Sequence, residues 1–145
     1  MAYTIGVSPD RLFLLITVLG SLTSEEASKY TAEAKSVGTR LGIERVLVDV
    51  TGAVNADFTE DSYDFAYRRL PQLSAHGAVP RVATLVSPDD HSHDFILLVS
   101  QNAGFNVTLF RNRDAAEKHL RAPEGAPHEG DPAGTPSFYS FDADD

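Results

Sequence analysis

The densest run of chemically capable residues in this chain is His91-Ser92-His93-Asp94, which follows Pro88-Asp89-Asp90. Two imidazoles two positions apart, with a carboxylate beside them, could form part of a zinc shell completed by His76 or His119. The same run also opens a helix, where Ser and Asp side chains serve as caps for unpaired amides. Nothing matches the helical HExxH pattern of zinc proteases, and no second ligand pair has compelling spacing. His91 and His93 are therefore weak metal candidates, and no cofactor is expected.

Asp49 closes the strand-like run Val46-Leu47-Val48-Asp49-Val50, with Asp57 and Thr59 a few residues on. Parallel α/β sheets place their binding sites at that edge. An acid there can act as a general base, hold a metal, or bond the amides of its own loop. Tyr63 and Tyr67, one helical turn apart, could line a pocket or pack in the core. Arg68-Arg69 could pair with a phosphate or a partner carboxylate, although adjacent charges on an amphipathic helix usually form its solvated face. There is no GxGxxG after a strand, no P-loop and no GxSxG elbow, and no catalytic set emerges. Cysteine is absent, which removes thiol nucleophiles, disulfides and cysteine metal sites.

These residues need elements to position them. Tyr3–Val7 and Arg11–Leu19 read as two strands joined by the turn Ser8-Pro9-Asp10, forming an N-terminal hairpin. Thr23-Ser24-Glu25-Glu26 is a capping box. Behind it, Ala27, Tyr30, Ala34, Val37 and Leu41 line one helical face, and Gly42 closes the helix. Val46–Val50 is a third strand, followed by a loop over Thr51–Ala56. A second helix is expected from near Thr59, with Tyr63, Ala66, Tyr67, Leu70 and Leu73 inward, bent at Pro71. Val82–Val86 is a fourth strand. A third helix runs from about His91 to Ala103, with Phe95, Leu98 and Val99 inward. Phe105–Phe110 is a fifth strand, and a last helix covers roughly Asp114–Leu120. The fold class is therefore α/β, with about five mostly parallel strands and four helices.

Composition divides the chain into a domain over residues 1–121 and a tail over 122–145. The tail holds four of the eight prolines, six acids and no Lys or Arg, and so two thirds of the net charge of −9. Such a segment cannot bury enough apolar surface to order itself alone. Its cluster Ser137-Phe138-Tyr139-Ser140-Phe141 is expected to pack on the domain or on a neighbouring subunit. Neither part offers the basic stripe that nucleic-acid binding needs. The longest apolar run, Leu12–Gly20, is far short of the roughly 20 residues that span a bilayer, so a cytoplasmic location is expected.

The strand–strand–helix opening, the Asp-terminated third strand, Arg81–Val86, and the closing stretch Asn106-Val107-Thr108-Leu109-Phe110 through Leu120 resemble the SpoIIAA-like (STAS/SEC14-related) family of small bacterial proteins. The resemblance covers residues 3–121 and lies in apolar spacing. It implies a β-α superhelical sheet and a non-enzymatic module that binds protein partners or small or lipidic ligands. Regulatory relatives carry a phosphorylatable residue opening the second helix, and the matching stretch is Asp57-Phe58-Thr59-Glu60. Thr59 is thus the positional candidate for phosphorylation, although Glu60 and Asp61 would repel a phosphate and Thr59 also suits a helix cap. The leading expectation is a non-catalytic binding or regulatory module that forms a homodimer. Next comes a carrier holding a small apolar or lipid ligand near Tyr63, Tyr67 and Phe95, and last an enzyme combining Asp49 with His91 and His93.

Overall fold

The computed structural model describes residues 2–56, 65–69 and 81–123. Its elements run β1 (Ala2–Val7), β2 (Phe13–Leu22), α1 (Ser24–Leu41), β3 (Arg45–Asn55), a π-helical turn (Phe65–Arg69), β4 (Arg81–Leu85), α2 (Asp94–Asn102), β5 (Val107–Phe110) and α3 (Arg113–Arg121).

The N-terminal hairpin forms as its sequence dictates. β1 pairs antiparallel with β2 from Ala2↔Leu19 to Val7↔Leu14. The Ser8 hydroxyl organises the turn: it donates to Asp10 at 2.6 Å and accepts from the amides of Leu12 and Phe13. All later pairings are parallel, and the sheet order is β1-β2-β3-β4-β5.

A sheet that adds parallel strands in one direction through right-handed crossovers places those crossovers on one face. The packing agrees. Ala27 and Ala34 of α1, Phe65 of the π turn and Leu97 of α2 share a core with Leu14, Ile16, Val48 and Val50. The opposite face is covered by α3, whose Ala116 and Leu120 pack on Phe13, Leu47, Ala83, Leu85 and Phe110. The near-continuous apolar runs of β2, β3 and β4 follow from burial on both sides.

Thr23 is the N-cap of α1, accepting from the Glu26 amide at 3.4 Å, and Gly42 ends the helix at φ 71°. The face of α1 is rotated from the expected one at its far end. Leu41 is exposed, and Gly38 is buried in its place. Gly38 sits where the chain turns back, its carbonyl accepting from Ile43 N at 2.9 Å.

Two further expectations are corrected. Thr51–Ala56 is not a loop: β3 continues to Asn55, because β2 itself runs to Leu22 and offers it a partner. The third helix begins at Asp94, with His91–His93 forming a turn ahead of it, and it buries Leu97, Val99 and Ser100. Phe95 and Leu98 are only half-buried. The described part of the second helix is the π turn Phe65–Arg69, so the described residues contain three α-helices. Asp57, Thr59, Tyr63, Pro71, His76 and the tail from Glu124 lie outside the described residues.

The C-terminal helix is tied to the hairpin turn. Arg121 Nε donates to Asp10 Oδ2 at 2.8 Å, and its guanidinium lies 5.2 Å from the centroid of the Phe13 ring. The Arg121 hydrogen bond, helped by Ser8, lowers the Asp10 pKa to about 2. The folded value is depressed, so this stabilisation is present above the ordinary carboxyl value of 3.8 and is lost as pH falls toward 2. Asp10→Asn should therefore lower the urea midpoint at pH 6, with an effect that fades as pH falls through 2.

Gly38 gives a second prediction. Alanine usually stabilises a helix over glycine by about 1 kcal/mol. A Cβ here would stand 2.5 Å from the Ile43 carbonyl oxygen, a backbone atom that cannot swing aside. Gly38→Ala should destabilise by about 1–3 kcal/mol in urea unfolding, reversing the usual sign.

Candidate functional site

The β2–β3 ladder contains an irregularity that shapes everything at the carboxyl edge of the sheet. Thr17 pairs with Asp49 and Leu19 with Gly52, so Val50 and Thr51 together stand opposite Val18. An extra residue of this kind rephases the strand beyond it. Val48 and Val50 face the α1 side, and beyond the bulge it is Ala53, not Gly52, that is buried. Asp49 braces the bulge: its Oδ1 accepts from Thr51 N at 3.0 Å and from Thr51 Oγ1 at 2.7 Å. Its other oxygen lies 3.8 Å from Arg113.

The rephased end of β3 receives the segment before α2. Asn55 N donates to Ser92 Oγ at 3.0 Å, and Asn55 Nδ2 donates to the Ser92 carbonyl at 3.0 Å. His93, only 3% exposed, places its Nε2 3.1 Å from the Ala53 carbonyl. A carbonyl only accepts, so Nε2 carries the proton. Asp90 Oδ2 lies 3.4 Å from the same nitrogen. Burial works against ionisation of Asp90, but the Ser92 hydroxyl and amide and the two imidazoles outweigh it and hold its pKa below the usual range.

His91 belongs to a separate knot. Its Nδ1 lies 2.9 Å from Asp94 Oδ2 and 3.1 Å from Arg111 NH2, and the same guanidinium reaches the Asp90 carbonyl and Asp94 Oδ1. His119, on α3, packs its ring 5.3 Å from that of Phe110 on the other face of the sheet. Asp49 lies beside Arg113 of α3, while His93 faces α1. The structure therefore separates Asp49, His91, His93 and His119, and among the described residues no three such side chains converge on a point that could hold a metal ion.

What the fold does bring together is a cavity of about 480 Å³ between α1, the π turn and α2. Its floor is Ile16, Val46, Val48, Val50, Val82 and Thr84, and Phe65, Ile96 and Leu97 contribute walls. The helix over it presents Tyr30 together with the small residues Ala27, Thr31, Ala34 and Gly38, whose side chains leave space above a sheet of branched residues. From Ser24 to Gly38 the lining follows α1 for roughly 20 Å. One end is marked by Thr23, Ser24, Asn55 and His93, the other by Lys35, Glu44 and Asn106. This matches the size and character of small-molecule sites.

Sequence reasoning placed a pocket between the second and third helices. Of its named aromatics, Tyr67 is 50% exposed, and neither Tyr67 nor Phe95 lines the cavity. The exposed phase of the π turn and the later start of α2 account for both. The residues it missed are Phe65, Leu97 and the small stripe of α1. That stripe was legible as Ala27, Ala34 and Gly38 at helical spacing, where a filled core would carry larger side chains.

No protein-family model matches the chain, and no curated protein matches it. Among solved structures, the chain resembles the anti-sigma factor antagonist SpoIIAA in its unphosphorylated form. The TM-score is 0.51 at 14% identity, covering 84% of this chain and 100% of that one. The two share a fold: five strands with an antiparallel first pair and helices on both faces. Among the described residues, no helix is long and apolar enough to cross a membrane.

The Arg111 knot has a measurable weight. Its side chain is 7% exposed and bridges the turn before α2 to the end of β5. Arg111→Leu would leave the Asp90 carbonyl and Asp94 short of donors, and should cost about 1–3 kcal/mol in urea unfolding.

Proposed function

We propose that this chain is a non-catalytic binding module of the STAS type, and that it carries a small apolar or lipid ligand in the cavity beneath α1. The observation that carries the reading is the cavity itself, about 480 Å³ of largely apolar space in a domain whose sheet faces are otherwise packed. The polar groups that could have formed a catalytic set support it from the other side. Asp49 is engaged at the bulge, His91 with Arg111 and Asp94, and His93 on a backbone carbonyl.

Native mass spectrometry of the full chain purified from its host should show a retained small-molecule mass. Ala34→Leu, which adds bulk from the helix over the cavity, should abolish that mass and leave the unfolding temperature unchanged or higher. A wild-type chain that retains no ligand and takes up no neutral apolar dye contradicts the reading.

The likeness to an anti-sigma factor antagonist favours a second reading, a regulatory module that binds a protein. In that reading Thr59 is the candidate phosphorylation residue, Asp57 and Tyr63 are candidate partner-binding residues, and the chain works as a cytoplasmic homodimer. The same spectra separate the two: a protein partner, a doubled mass or an added phosphate supports regulation, and a small-molecule mass supports carriage.

A further inference from the structure

We propose that the outer edge of β1 is a self-association surface, on which two copies of this chain pair strand to strand about a two-fold axis through Ile5. This rests on the second reading above and gives its homodimer a surface. It holds whether or not the cavity carries a ligand.

The two edges of the sheet differ. β5 has only four residues. Asn106 and Phe110 turn their carbonyls to Val82 and Val86, so the Val107 carbonyl points outward, and there Gln101 Nε2 donates to it at 2.8 Å. A short strand is one way in which an edge is kept from pairing, and the Gln101 bond occupies a group that a visiting strand would need. β1 has no such protection. Ala2-Tyr3-Thr4-Ile5-Gly6-Val7 carries no charge and no proline, and its register with β2 is unbroken from Ala2↔Leu19 to Val7↔Leu14. Among the described residues, no strand lies on its outer side.

The phase of the outward groups follows from the turn. Ser8 N donates to the Phe13 carbonyl at 2.9 Å, and bonded and non-bonded pairs alternate along an antiparallel ladder. Thr4 and Gly6 therefore bond to β2, while Tyr3, Ile5 and Val7 turn their N–H and C=O outward. A two-fold through Ile5 sets that residue opposite the partner's Ile5, and Tyr3 opposite the partner's Val7. This register uses every outward group of the three residues, and a two-fold makes the contact self-complementary. It also keeps their side chains on the α1 side, where they are already half-buried against the core. Aromatic and β-branched side chains facing one another across such a pair stabilise it.

Charge selects a second copy over the chain's own tail. Glu33 of α1 stands at this edge, bonded to the Tyr3 hydroxyl, and the tail would bring six acids and no base toward it. A second copy brings an uncharged strand. The same axis runs the two α1 helices in opposite directions, so the acidic first turn of each, Glu25 and Glu26, lies at the end where the other has Arg40. The face is small. A strand of this length and the helix flank above it cover roughly 400 Å² per copy, about half of a standard interface, so the dimer is weak and reversible.

Sedimentation velocity of the full chain should show monomer at about 1 µM and mostly dimer at about 300 µM. Amide exchange read by NMR should show Thr4 and Gly6 protected at both concentrations, and Tyr3, Ile5 and Val7 only at the higher. Thr4→Lys, on the exposed face beside the axis, sets like charges near each other and should weaken association about tenfold or more, whereas Thr4→Val should not. Absence of dimer at the higher concentration overturns both this surface and the homodimer. A dimer that leaves Tyr3, Ile5 and Val7 unprotected, or that Thr4→Lys leaves intact, overturns the surface and keeps the homodimer. Protection of those three amides at both concentrations means that the chain covers its own edge, and overturns the surface as well. If Thr4→Lys does not fold, exchange in the wild-type chain decides alone.

Discussion

The parallel ladder between β2 and β3 is the contact on which the rest of this molecule depends. It runs from Phe13↔Arg45 to Leu22↔Asn55, longer than the pairings at either side. Its length carries β3 past the point where its apolar run ends. Its bulge then determines which residues of that extension face the α1 side. Without the extra residue at Val50–Thr51, Gly52 would occupy the inward phase and Ala53 would turn away. The carbonyl that holds His93 and the asparagine that holds Ser92 both lie on this extension.

The same one-directional sheet explains why there is space to fill. Crossovers gather on one face, so α1 and α2 must both be seated there, while the other face is left to α3. A helix of small residues over branched strands would ordinarily settle closer. At Gly38 it does so, where an added Cβ would stand 3.5 Å from Leu14 Cδ1 of β2. At Ala27 and Ala34 the helix stays above the sheet and the volume remains.

How much of this could be read from the residues follows from which interactions are local. The capping box at Thr23, the Ser8–Asp10 turn and the hairpin involve neighbours in sequence, and they were legible. The extension of β3 was not, because Thr51-Gly52 has turn composition and only a partner strand some thirty residues earlier makes it a ladder. The site suffered in the same way. His93 is recognisable as an imidazole, and its type points to a metal, but its bond to the Ala53 carbonyl spans 40 positions. Tyr67 and Phe95 were chosen for their aromatic type. A π turn and a helix that starts at Asp94 set different phases, and Phe65 and Leu97 point inward where they do not.

The strictly sequential order of the strands has a consequence for how the chain is made. Each strand joins the edge left open by the one before it, so no strand has to be inserted between two already in place. A chain emerging from the ribosome can therefore lay down its sheet in the order of synthesis, with every new pairing available as soon as its strand is out. The last described element is α3, and Arg121 reaches back across 111 positions to Asp10 in the first turn. This helix thus meets the hairpin that was made first, and the contact can form only after all five strands are out.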